Sequence, residues 1–235
     1  MLAAILAAAF LVAPLYLTLF RRELRRSDAI ARSVRTLGLE FARTDDAYPG
    51  SLATRYPFEL FSRGTRQECE NVFRGTIAGL ELVGFDLSFV EEPDARDAGG
   101  PPERSDQVPV RTTCVIADVG ASFPHLVITP VGAVGGAFDA ATWAAWGIRN
   151  RPIQFESRDF DRLFRVRSED VRFASALVDP AMMDWLLSSG ASWRWELQRE
   201  YVLCTGGLVA PRDITAMVSA VVSFARHIPR VALSL

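Results

Sequence analysis

The chain has 235 residues, of which 26 are basic and 28 acidic, for a net charge of −2. That balance lacks the basic footprint of a nucleic-acid binder, and 49% hydrophobic residues exclude global disorder. Every basic residue is arginine, so no lysine nucleophile, Schiff base or standard Walker phosphate loop is available.

The charge is unevenly spread. From Arg21 to Arg43, seven arginines stand against Glu23, Asp28 and Glu40, a net +4; the remainder carries 19 arginines and 25 acids, a net −6. The segment from Met1 to Phe20 has no charged side chain, and about 20 apolar residues suffice for a helix to cross a bilayer. No positive charge precedes it, and apolar chain continues well beyond Ala7-Ala8-Ala9. An uncleaved anchor is therefore expected rather than a secretory signal. Arg21, Arg22, Arg25 and Arg26 flank this span. They predict a single-pass cell-membrane protein with its N-terminus outside and its C-terminal domain cytoplasmic. They would also meet anionic headgroups.

Ser27 or Asp28 can cap a following helix. Its apolar stripe, Ile30, Val34, Leu37 and Phe41, fits either the membrane surface or the domain. Tyr48-Pro49-Gly50 and Arg55-Tyr56-Pro57 mark irregular chain. Val83, Phe85, Leu87 and Phe89 alternate with small or polar residues, the pattern of a half-buried strand, with another expected over Val72 to Leu80. The Pro-, Gly- and acid-rich stretch from Glu91 to Pro109 reads as a flexible loop. Val110 to Val119 and His125 to Thr129 read as further strands, and Val131 to Gly147 fits loop or short helix equally.

Ile153 to Glu156 and Leu163 to Val166 look extended. A helix is expected from Glu169 or Asp170 to about Ser188, divided by Pro180 and burying Phe173, Ala174, Leu177, Trp185 and Leu186. Trp193, Trp195 and Leu197 alternate with polar residues, and Tyr201 to Leu203 forms a further extended piece. The closing helix starts at Pro211 to Asp213 and stops at Pro229. Ile214, Met217, Val218, Val221, Phe224, Ala225 and Ile228 form its core stripe.

These elements predict an α+β chain: an N-terminal transmembrane helix, then one domain with a largely antiparallel sheet and a closing C-terminal helix. A pleckstrin-like roll is one way to arrange them. The expected divisions are an anchor over 1–20, a basic juxtamembrane helix over 21–43, a globular domain over 44–229 with a flexible loop at 91–109, and a tail over 230–235.

No motif for a cofactor or metal stands out: there is no G-x-S-x-G, no H-E-x-x-H, and only His125 and His227. Both histidines read as structural or surface residues. Cys69, Cys114 and Cys204 lack C-x-x-C spacing and read as reduced, half-buried thiols, with structural burial the favoured reading for Cys114 and Cys204. The densest polar stretch places Arg158, Arg162, Arg165 and Arg167 among acids and phenylalanines. An ion-paired face is the simpler reading, and a partner surface is the functional one.

The order of Gly75-Thr-Ile-Ala-Gly79, Gly84-Phe-Asp-Leu-Ser-Phe89, Pro124-His-Leu-Val-Ile-Thr-Pro130, Phe155-Glu-Ser, Phe160-Asp-Arg-Leu-Phe-Arg-Val166 and Asp170-Val-Arg-Phe-Ala174 resembles uncharacterised membrane-anchored proteins of GC-rich, actinobacterial-type genomes. The resemblance spans roughly Leu37 to Ile228 and implies no activity and no catalytic residues. The expected function is a non-enzymatic binding domain at the inner face of the membrane, with a membrane or cytosolic protein partner. The alternatives are a tethered enzyme drawing on Arg162, Asp170 and Cys204, or an envelope protein with its domain outside.

Overall fold

The computed structural model describes residues 20–62, 64–90, 109–131, 151–190 and 193–234. The predicted anchor over Met1 to Phe20, the loop from Glu91 to Pro109 and the segment from Val131 to Gly147 fall almost wholly outside them. Among the described residues, no helix is long and apolar enough to cross a membrane.

The first described element is helix α1, residues 20–35. Gly38 ends it, at φ +76°. Leu39 N–H reaches back to the Val34 carbonyl (3.1 Å) and Gly38 N–H to that of Arg35 (3.0 Å). This is a Schellman closure, which needs a residue free to adopt the left-handed conformation. The juxtamembrane helix predicted to reach Arg43 is therefore shorter, and Glu40–Thr44 is strand β1.

Helix α2 (Leu52–Arg55) and a 3-10 turn (Glu59–Ser62) precede β2 (Thr65–Ile77) and β3 (Leu80–Val90). Ala78 and Gly79 join these strands, both at positive φ, as a two-residue hairpin requires. The two strands predicted on either side of Gly120 are one, β4 (Val110–Pro130). Three short helices follow: α3 (Arg158–Leu163), α4 (Val171–Leu177) and α5 (Pro180–Trp185), with β5 (Phe164–Ser168) between the first two. Ser157, Asp170 and Asp179 cap them through side-chain oxygens, each satisfying backbone N–H groups that a helix start leaves open. Pro180 opens α5 where its missing N–H costs nothing. The two extended pieces expected around Trp195 and Tyr201 are one strand, β6 (Arg194–Gly207). Helix α6 (Ile214–His227) closes the domain.

Among the described residues all strand pairs are antiparallel, in the order β1-β2-β3-β4, and β4 is the spine. Its first half lies between β3 and β6, its second half between β5 and β6. The sheet buries both faces. The larger core sets Phe73, Val115, Leu126 and Trp195 against α1, α4, α5 and α6. There Trp195 stacks on Phe224 with centroids 4.5 Å apart. The core stripe predicted for α6 is buried as expected, apart from a half-buried Ala225. The smaller core covers Phe85, Leu87, Cys114 and Leu203 with residues 48–61, chiefly Tyr48, Leu52, Tyr56, Phe58 and Phe61.

Candidate functional site

The smaller core is open at one end. Sheet register explains why. Tyr48 and Phe61 pack on Phe85, at 5.7 and 5.9 Å between ring centroids, so the aromatic cover is centred on the middle of β3. Two cross-strand rows nearer the β2–β3 turn lie outside it. One contains Arg74, Val83 and Ile116; the other contains Thr76, Glu81, Asp118 and Tyr201. Side chains in register across antiparallel strands share a face. These two rows therefore floor a cavity of about 380 Å³, walled by Tyr48, Arg55 and Tyr56.

The cavity is apolar at its base and charged at its mouth. Val83 and Ile116 are buried. The Tyr56 and Tyr201 rings meet edge to face at 5.0 Å, and the Arg55 guanidinium lies 5.4 Å from the Tyr56 centroid. Burial pushes the Tyr56 phenol well up, aided by its hydrogen bond with Tyr48, so it stays neutral. The Arg55 guanidinium, beside Tyr56 and then Tyr48 and Tyr201, is held more firmly in its charged form. Arg74 is engaged, at 3.1 Å from Asp45 and 4.0 Å from Glu40. Glu81 and Asp118 differ: they are direct register partners on β3 and β4, and neither forms an ion pair among the described residues. Asp118 Oδ1 accepts the Gly120 N–H, at 2.9 Å.

On the other face, α1 is fastened by charge. Asp86 is buried and accepts four hydrogen bonds: two from Arg26 (3.0 Å each), one from Asn71 (2.8 Å) and one from Thr113 (2.7 Å). Thr113 Oγ1 in turn accepts the Val209 N–H. Glu23 pairs with Arg111 at 2.7 Å; that hydrogen bond, above all, holds its carboxyl below the usual range. Ile30 and Val34 enter the larger core. Of the two placements open for this helix, membrane surface or domain, the structure has it packed on the domain.

The predicted site residues are dispersed. Arg21, Arg22 and Arg25 are exposed on α1, whereas Arg26 is committed to Asp86. Arg158 and Arg162 stand on α3, Arg165 and Arg167 on β5; Arg162 pairs with Asp159 at 3.4 Å, and Arg165 donates to the Asp161 and Phe164 carbonyls. None of the four lines the cavity. Arg162, Asp170 and Cys204 do not converge: Asp170 caps α4, Arg162 is exposed, and Cys204 is inside the larger core. Burial pushes the Cys204 and Cys114 thiols far up and the Cys69 thiol up to about 12, so none is a ready nucleophile. His227 lies against Trp185. His125 approaches the buried Glu196 at 2.8 Å, while Arg194 donates to the same carboxylate at 2.5 Å. Burial opposes the Glu196 charge, but Arg194 and His125 hold its carboxyl below the usual range.

The cavity escaped the sequence reading because its residues come from separate segments spread between positions 38 and 201. One signal was present: Tyr48, Tyr56 and their prolines lie in a stretch too aromatic for an idle loop.

No family model matches this chain, and no curated protein matches it in sequence. Among solved structures, it is similar to the mycobacterial trehalose monomycolate transport factor A, TtfA, with a TM-score of 0.55 and 11% identity. The likeness covers 86% of this chain and 90% of that one. At this identity the likeness is one of architecture: the chain has the mixed helix and antiparallel-sheet fold of that transport factor.

Proposed function

We infer that this chain is a non-enzymatic interaction domain, held at the inner face of the cell membrane by residues 1–20, and that it serves a transport assembly as an accessory factor. The observation that carries this reading is the likeness in fold to the mycobacterial transport factor, which extends over nearly the whole of both chains. The fastening of α1 supports it. A helix tied to the sheet through Arg26–Asp86 and Glu23–Arg111 would transmit the orientation of an anchored N-terminus to the whole domain. The membrane-flanking arginines that remain exposed, Arg21, Arg22 and Arg25, would then face the headgroups.

Cross-linking in intact cells, followed by capture of the full chain from detergent extract, tests the reading. Recovery of a polytopic transport protein is expected. Capture of no membrane protein in cross-linked samples would overturn it. A reporter fused after Leu235 tests the topology: activity of a reporter that works only outside the cytosol would place the domain on the other side.

A further inference from the structure

The cavity beside Tyr56 is built for a cation. Two carboxylates, Glu81 and Asp118, face each other in register across β3 and β4, an arrangement that costs stability when nothing compensates it. At the same mouth Arg74 is paired with Asp45 and Glu40, and Arg55, which lies over the neutral Tyr56 ring, keeps its charge and can offset at most one of the two carboxylates. An anion would add a third negative charge beside the pair. A neutral ligand would desolvate the two carboxylates without neutralising them. Among the described residues, no group of three His, Cys, Asp or Glu side chains could hold a metal ion. A guanidinium or ammonium meets every demand: its charge pairs with the carboxylates, its donors fill their lone pairs, and its carbon stem lies along Val83, Ile116 and the tyrosine rings. Arg55 already shows that the Tyr56 ring accepts a guanidinium.

Resting on the interaction-domain reading above, we propose that this cavity receives an arginine or lysine side chain from a cytosolic loop of a membrane-protein partner. Such loops carry an excess of these residues close to the bilayer, where an anchored domain would meet them. The distal domain is the acidic part of the chain, at net −6 against +4 beside the anchor, so the charges of domain and loop are complementary.

The test is titration of the full chain in detergent with a capped Gly-Ser peptide containing two arginines, followed by calorimetry. The same peptide with citrulline, free arginine amide, and a neutral disaccharide run in parallel. The arginine peptide should bind and its citrulline counterpart should not. Arginine amide should bind more weakly than the peptide if the ligand is a chain segment; equal binding would assign the site to a small cation and overturn the partner assignment. The E81Q/D118N double variant, which keeps side-chain size, should weaken peptide binding about tenfold or more while unfolding at no lower denaturant concentration than wild type. Binding unchanged in E81Q/D118N, no peptide binding to the wild type, or a preference for the disaccharide would each overturn the proposal. If E81Q/D118N still captures its transport partner in cells, this inference fails while the interaction-domain reading stands.

Discussion

Strand β3 carries two acids five residues apart, and they meet opposite conditions. Asp86 faces the larger core, where four donors from Arg26, Asn71 and Thr113 saturate it. Glu81 faces the smaller core's open end, opposite another carboxylate and with no ion pair among the described residues. Both faces draw on the same residue types, arginine, acid and aromatic. What differs is closure. Where α1 covers the sheet, charge is spent internally and makes scaffold; where residues 48–61 stop short, charge is left pointing outward. Internal satisfaction marks structure, and its absence beside a cavity marks a site.

The largest effect should come from breaking the closed face. Replacing Asp86 with Ala leaves Arg26, Asn71 and Thr113 without their acceptor in the interior, and should cost about 3–5 kcal/mol. Urea unfolding of residues 20–235 would measure it. The double variant Arg26→Met, Asp86→Leu removes both charges and should recover much of that loss. If Asp86→Ala were neutral, the distinction between the faces would collapse.

Next comes Gly84, on the same face of β3. A Cβ there would run into the Phe73 ring, itself fully buried. Gly84→Ala should therefore cost about 1–3 kcal/mol through overpacking, read as a lower melting temperature. The strand around it was legible in the sequence, because Val83 to Phe89 alternates plainly, and so was the core stripe of α6, through its helical spacing. The Asp86 network was not. Its members come from positions 26, 71, 86 and 113, brought together by register and by a bulge at Asn71, which sits at φ +55°. Asn tolerates that conformation better than most residues. Spacing along the chain carries no trace of such a set. The end of α1 at Gly38, by contrast, was readable: a glycine following a helical stripe is a standard stop, and the apolar Phe41 concealed it by continuing the period.

The pH dependence should be smaller. Hydrogen bonding to Arg111 lowers the Glu23 carboxyl in the folded state, so its contribution is present above the ordinary carboxylate range, near about 4.3. It is lost as pH falls through the lowered folded value. The pair is partly exposed, which limits its worth to below about 1 kcal/mol. Stability measured from pH 6 down to pH 3 should fall less steeply in Glu23→Gln than in the wild type. An unchanged slope would mean that this pair contributes nothing to fastening α1.

The smallest effect on stability has the opposite sign, and it bears most directly on the open face. Asp86 is stabilising because its charge is answered inside the fold. Glu81 and Asp118 repel each other across a strand pair, at a cost of roughly 0.2–1 kcal/mol for such like-charged neighbours. Glu81→Gln removes that repulsion without changing side-chain size, so it should raise the unfolding midpoint slightly while weakening cation binding. A gain in stability coupled to a loss of binding is the signature of a site that holds unfavourable charge for function. A structural acid would behave as Asp86 does and lose stability on neutralisation. If Glu81→Gln were destabilising by as much as about 1 kcal/mol, Glu81 would belong with the scaffold, and the two faces of the sheet would differ only in depth.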